Sequence, residues 1–229
     1  AQQIGEEKFF SELSKFGLGQ RSGVQLPADS AGMVPPLSQW SATSFANLPI
    51  GQGFSATLVQ IADMYQGVAN GGVRIPATMV ASTTKDGRTT ATPAAKGVRG
   101  MTAKSADTLL DMLRGTVQGG DIMYDGTAAK AALTGYQVAG KTGTAQQVDP
   151  KCGCYSDTLV NATFAGIVPA DNPQFVIAVM LDAPSGGVEA GDAAAPLFHD
   201  LAAYTMRAYD VPPSKTAAPI YQLYTNLGE

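Results

Sequence analysis

One strand-like run, Tyr136-Gln-Val-Ala-Gly-Lys-Thr-Gly-Thr-Ala-Gln146, constrains the chain more than any other stretch. Its β-branched and aromatic residues favour extended backbone. Gly140 and Gly143 interrupt it, and a strand keeps glycine where another backbone or a ligand must come close. An ammonium, Lys141, and a hydroxyl, Thr142, sit between the glycines, and a second hydroxyl, Thr144, follows. Alternation places Thr142 and Thr144 on one face and Lys141 on the other, unless Gly143 twists the edge. Two hydroxyls beside a lysine and an exposed N–H ladder suit an extended peptide that ends in a carboxylate. Taken alone, the same residues fit an ordinary strand with threonines on its wet face.

The remaining composition excludes several classes. A chain of 229 residues fits one domain with a sizeable core. A hydrophobic content of 45% with 15% charged residues is a globular balance and argues against disorder. A net charge of −4 gives no basic footprint for nucleic acid. No apolar run approaches a membrane span, and Phe175 to Leu181 has only strand length. No signal peptide is visible at Ala1, so any targeting segment is expected upstream of these residues. The cysteines, Cys152 and Cys154, have one residue between them. With His199 the sole imidazole they cannot complete a four-ligand zinc site, and no metal or cofactor is expected. A disulfide within so small a ring and a pair of free thiols both remain open. A catalytic cysteine is not expected, because no nearby histidine could activate it.

Along the chain, Phe9, Phe10, Leu13 and Phe16 share one helical face, and Gly17 stops that helix. Leu18 to Trp40, punctuated by Pro27, Pro35 and Pro36, is expected as extended loop, with Trp40 packing it onto the core. Thr57 is the expected N-cap of a helix whose stripe is Leu58, Ile61, Ala62, Tyr65, Val68 and Ala69. The preceding Gly51-Gln-Gly53 is a tight turn at the helix entry, too sparse for a phosphate loop. A second helix is expected from Lys104 to Val117, then a short one near Gly126 to Ala132. Ala162 to Val168 and Gln174 to Leu181 are strands joined by a turn at Pro169-Ala-Asp-Asn-Pro173, giving a three-stranded meander with the central run. A last helix, Ala193 to Tyr209, covers the sheet with Leu197, Phe198, Leu201, Ala202 and Thr205. The fold class is therefore α+β around one antiparallel sheet.

Lys141-Thr-Gly is one of three signatures of serine penicillin-binding enzymes. It does not stand alone. Phe16-Gly-Leu-Gly-Gln-Arg-Ser-Gly-Val-Gln-Leu-Pro27, Ile50-Gly-Gln-Gly-Phe-Ser-Ala-Thr57 and Ala69-Asn-Gly-Gly72 precede it in order. Gly126-Thr-Ala128, Phe164-Ala-Gly-Ile-Val-Pro-Ala-Asp-Asn-Pro173 and Ala195-Pro-Leu-Phe198 complete the series. In these blocks nearly the whole chain resembles the class B penicillin-binding proteins, most closely the septal peptidoglycan transpeptidases of cell division.

The resemblance implies a penicillin-binding fold and serine acyl transfer at the D-alanyl-D-alanine end of a peptidoglycan stem peptide, with β-lactams as mimics. It implies that Lys141 holds a charge network and attracts the substrate carboxylate. Thr142 and Thr144 would hydrogen-bond that carboxylate, Gly143 would admit a peptide along the strand edge, and the Thr144 backbone N–H would serve an oxyanion hole. It also implies the extracytoplasmic face of a membrane, an N-terminal anchor outside these residues, and division-machinery membrane proteins as partners.

The chain departs from the family in lacking its upstream motifs. The one Ser-x-x-Lys, Ser82-Thr-Thr-Lys85, lies in a polar stretch after the Gly51-Gln-Gly53 block and is not the nucleophile, and no Ser-x-Asn occurs. Residues 1–229 are accordingly expected to be the C-terminal portion of one transpeptidase domain, with the upstream half as its partner. Leu58 stands where the family usually has proline, and Ser185 to Gly191 lacks the aromatics of some relatives. A β-lactamase or β-lactam sensor of the same fold, and a non-catalytic scaffold domain, are the competing readings.

Overall fold

A computed structural model describes residues 2–186 and 189–224, apart from the side chain of Asp157. Gly187 and Val188, in the loop that lacks aromatics, lie outside the described residues. The chain divides into two compact units, Ala1–Ala103 and Lys104–Glu229.

In the first unit, α1 (Glu6–Lys15) opens with two glutamates and closes with a lysine, the charge order a helix dipole favours. Its apolar face meets a loop rather than a core. Phe9 and Phe10 pack edge-on against Trp40, and Trp40 stacks on Phe45 of α2 (Ala42–Asn47). The Trp40 indole N–H donates to Pro35 O at 2.9 Å. Trp40 thus belongs to a half-buried aromatic cluster, a correction to its expected place against the core: Phe9, Phe10 and Phe45, the rings around it, are themselves only half-buried.

Thr57 caps α3 (Leu58–Ala69) as expected, and the Gln60 side chain completes a reciprocal capping box. Gly51 and Gly53 before it adopt φ of 93° and 87°, the tight entry turn. The buried positions of α3 are Gln60, Asp63, Gly67 and Val68, whereas Leu58 is exposed. The expected apolar stripe is therefore only half covered, because polar groups occupy the inward face. The Gln60 amide donates to Gln20 O (2.7 Å), Ala31 O (2.8 Å) and Gly17 O (3.3 Å), tying three loop carbonyls to one helix. Asp63 lies 3.8 Å from Arg74 on β1 (Val73–Arg74), and Arg74 Nε donates to Lys15 O. Burial raises the Asp63 carboxyl above the usual carboxylate range, against the Ala77 N–H and Arg74, which lower it.

The polar hairpin β2 (Ser82–Lys85) and β3 (Arg88–Ala91) follows, exposed throughout, and β4 (Val98–Arg99) returns to pair with β1.

The second unit is built differently. After α4 (Ala103–Gly115), β5 (Ala139–Val148), β6 (Tyr155–Val168) and β7 (Phe175–Asp182) form an antiparallel meander in the order β5-β6-β7. Helix α5 (Ala190–Ala208) covers it. Phe164 and Phe198 are fully buried, with ring centroids 4.7 Å apart. Gly140 lies opposite Gly166, and a Cβ on either would fall 2.5 to 2.7 Å from one of these rings. The aromatic pair thus fills the space that two side chains would take.

The face of α5 that meets the sheet carries Ala194, Ala195, Phe198, Ala202 and Met206. Leu197 and Leu201, expected in that face, are 37% and 41% exposed. The correction follows from size: alanines at 194, 195 and 202 bring the helix backbone close to the sheet. Beyond α5, Val211 to Tyr224 runs as a strap, with the Tyr221 hydroxyl donating to Asp111 (2.6 Å) and the Tyr221 N–H to Gln118 Oε1 (2.7 Å).

Candidate active site on an edge strand

Strand β5 borders β6 alone, so its other edge is open among the described strands. Every second N–H of an edge strand points away from its neighbour and can pair with an added chain. Lys141, Thr142, Gly143 and Thr144 lie opposite Ala165, Phe164, Thr163 and Ala162 in unbroken register. The ladder slips between Gln146 and Val148, beyond the site.

Lys141 is exposed, and its Nζ donates to Thr142 Oγ1 at 3.0 Å and to Thr142 O at 3.2 Å. Alternation alone does not keep the ammonium apart from the hydroxyl, because a four-carbon stem curls round an open edge. Gly143 is required on its own face by Thr163: a Cβ there would lie 2.5 Å from Thr163 Oγ1, which donates to Gly143 O at 3.1 Å.

Two contacts bring other elements to this segment. Thr127 Oγ1 lies 3.1 Å from Thr142 Oγ1, and the Ala190 N–H at the start of α5 donates to Thr144 Oγ1 at 3.3 Å. The N-cap residue Glu189 makes no side-chain cap, so the Thr144 hydroxyl satisfies one of the amides that a helix start leaves unpaired. Thr127 O fills the space beside Gly191, where a Cβ would fall 2.3 Å away. Lys130 and Asp192 close the rim at 2.8 Å.

This bonding sets the polarity of the Thr144 hydroxyl, and that of Thr142 follows from its pairing with Thr127. An ammonium only donates, so Thr142 Oγ1 accepts from Lys141. If Thr127 also donates to it, the proton of Thr142 is left to point outward. Thr144 accepts from an amide, and its own proton is likewise available. With Thr127 as the donor of its pair, two hydroxyl protons and an ammonium on one open edge can donate to an anion, and charge-assisted hydrogen bonds of this kind are roughly twice as strong as neutral ones.

The structure also locates the residues excluded from chemistry. Ser82 and Lys85 lie three apart on the exposed strand β2, hence on opposite faces, and cannot act as nucleophile and base for one another. His199 Nδ1 contacts Ala132 O at 2.6 Å and belongs to the packing of α5. Thr127 and the Ala190 amide are the site groups that the sequence did not assign. Gly126-Thr-Ala128 marks the loop, but nothing in its spacing announces a partner fifteen residues away.

The family described as "Penicillin binding protein transpeptidase domain" matches residues 1–203. The penicillin-binding protein PbpB of Mycolicibacterium smegmatis is 49% identical over 223 residues, covering 96% of this chain and 34% of the relative. The peptidoglycan D,D-transpeptidase FtsI of Escherichia coli K12 is 29% identical over 218 residues, 94% of this chain and 34% of the relative. The crystal structure of penicillin-binding protein 3 from Mycobacterium tuberculosis, complexed with ampicillin, superposes with a TM-score of 0.91 at 48% identity. That superposition covers 98% of this chain and 51% of that one. The chain thus spans about a third of the length of these curated relatives.

Proposed function

Because the chain belongs to the penicillin-binding protein transpeptidase family, we propose that it is the C-terminal part of a peptidoglycan D,D-transpeptidase acting in septal wall synthesis. Its two compact units are parts of one transpeptidase domain, a reading supported by a family match that runs from residue 1 to residue 203. The observation that carries the proposal is the open edge of β5, with Lys141, Thr142 and Thr144 arranged as donors to an anion.

The stem peptide lies along that edge as an added strand, with its terminal carboxylate on the Thr142 and Thr144 hydroxyls and Lys141 supplying charge. The narrow profile at Gly143 lets the peptide come close, and the Thr144 backbone N–H is one oxyanion donor. Removal of one such donor costs on the order of a hundredfold in other enzymes. Acyl transfer also needs a nucleophile and a base, and the proposal assigns these to the upstream half of the domain. β-Lactams occupy the same groove. An N-terminal anchor on the extracytoplasmic face of the membrane and partners in the division machinery belong to the same proposal. Among the described residues no helix is long and apolar enough to cross a membrane.

Lys141→Ala in the full-length protein should abolish acylation by fluorescent penicillin while thermal unfolding is unchanged, since an exposed edge lysine contributes charge rather than packing. Acylation at the parent rate would overturn the site. Residues 1–229 expressed alone should form no labelled band on a denaturing gel. The rate of deacylation separates the readings, because a β-lactamase turns over the adduct that a transpeptidase retains.

A further inference from the structure

Cys152 and Cys154 are joined in a disulfide at the tip of the β5–β6 hairpin, and both are exposed. The turn they occupy holds its shape by other means. The Asp149 N–H donates to Cys154 O, the Gly153 N–H to Asp149 O and the Lys151 N–H to Asp149 Oδ1, each at 2.8 Å. Below them the pair Val148–Tyr155 closes the ladder. The stabilisation a cross-link gives grows with the loop it closes, and this one closes a loop with a single intervening residue. A structural staple is poorly placed here.

The two sulfurs are also not equivalent. The Cys154 N–H lies 3.3 Å from Cys152 Sγ. A backbone donor stabilises a thiolate, and a more stable thiolate leaves faster in exchange.

We propose that Cys152–Cys154 is a thiol-exchange site, opened by a dithiol reductant that attacks Cys154 and expels Cys152 as the thiolate. The reagent's first thiolate forms a bond to Cys154 Sγ as the bond between the two cysteines breaks, and the electron pair passes to Cys152 Sγ, which then takes up a proton. The reagent's second thiolate attacks its own sulfur in the mixed disulfide and releases Cys154 as a thiolate. The protein gains two electrons and two thiols, and the reagent leaves as a disulfide. This assignment stands independently of the transpeptidase reading.

The experiment uses the folded full-length protein. A limiting pulse of glutathione, quenched with acid and mapped by peptide fragmentation, should place the mixed disulfide on Cys154 in several-fold excess over Cys152. Dithiothreitol without denaturant should then expose both thiols to maleimide, with amide exchange in β5 and β6 unchanged. A pair that resists dithiothreitol until the protein is unfolded overturns the site. An adduct mainly on Cys152 overturns the assigned direction of attack.

Discussion

The two units solve the same problem with opposite chemistry. In the second, the largest fully buried side chains are Phe164, Phe198, Ile167, Met206 and Val168, and the ladder pairs the strand amides. Gln137 is its single buried polar side chain among the described residues, donating to Thr216 O and Ala217 O of the strap. In the first, Ser22, Gln60, Asp63 and Arg74 are buried, and the loops they secure have no ladder of their own. A sheet arrives with its amides paired and can be sealed with apolar side chains, which contribute roughly 25 cal/mol per Å² removed from water. A set of loops arrives with carbonyls unpaired, and something polar must reach inside to meet them. The Gln60 amide does so for three carbonyls at once.

The sharpest way to break this comparison is to remove one ring from the apolar unit. Phe198→Ala takes away the partner of Phe164 and the ring over Gly166, and should cost about 3–5 kcal/mol. Amide exchange in β6 would report the loss locally. Exchange as slow as in the parent would mean that this pair is not what holds the sheet to α5.

Next comes a substitution whose sign separates the two designs. Gln60→Leu adds apolar volume at a buried position, which a core like that of the second unit would welcome. Here it should destabilise the first unit by about 2–3 kcal/mol, since orphaned buried groups cost about 1–3 kcal/mol each. Exchange at Gln20, Ala31 and Thr57 should quicken. A neutral or stabilising result would show that water replaces the amide and that the buried glutamine is incidental.

The same contrast explains what the sequence revealed. The meander was legible because apolar runs and the turn at Pro169 to Pro173 are local signals, and β7 and the turn lie where they were expected. The inward side of α5 was misjudged, because a helical period marks a stripe but does not say that small residues will lie closest to the sheet. The inward side of α3 was harder still. Gln60 and Asp63 look like surface residues until the carbonyls of Gly17, Gln20 and Ala31 are brought to them. At the site, Lys141 to Thr144 were legible as a segment, while Thr127 was not, because its contact depends on how a distant loop folds back.

The smallest expected effects come from two carboxylates shifted in opposite directions. The Tyr221 hydroxyl, and after it Arg114, hold Asp111 below the usual 3.8 against some desolvation. Its folded state releases the proton more readily than the unfolded chain, so its contribution is present above pH 3.8 and lost as pH falls through the folded pKa. Asp63 is raised, chiefly by desolvation, so its contribution is complete below 3.8 and lost as pH rises through its folded pKa. Asp29 also lies in the first unit, but the Gly23 N–H and the Ser22 hydroxyl lower it, and it titrates below the window of Asp63. Asp63→Asn should therefore flatten the decline of the first unit above pH 3.8. Asp111→Asn should flatten that of the second below it, more weakly because the Asp111 side chain is 50% exposed and screened by solvent. Local exchange measured across pH 3 to 6 reads both. Slopes of the same sign would mean that the Arg74 pair, although 3.8 Å long, outweighs the burial of Asp63 and that the polar core is held by charge after all.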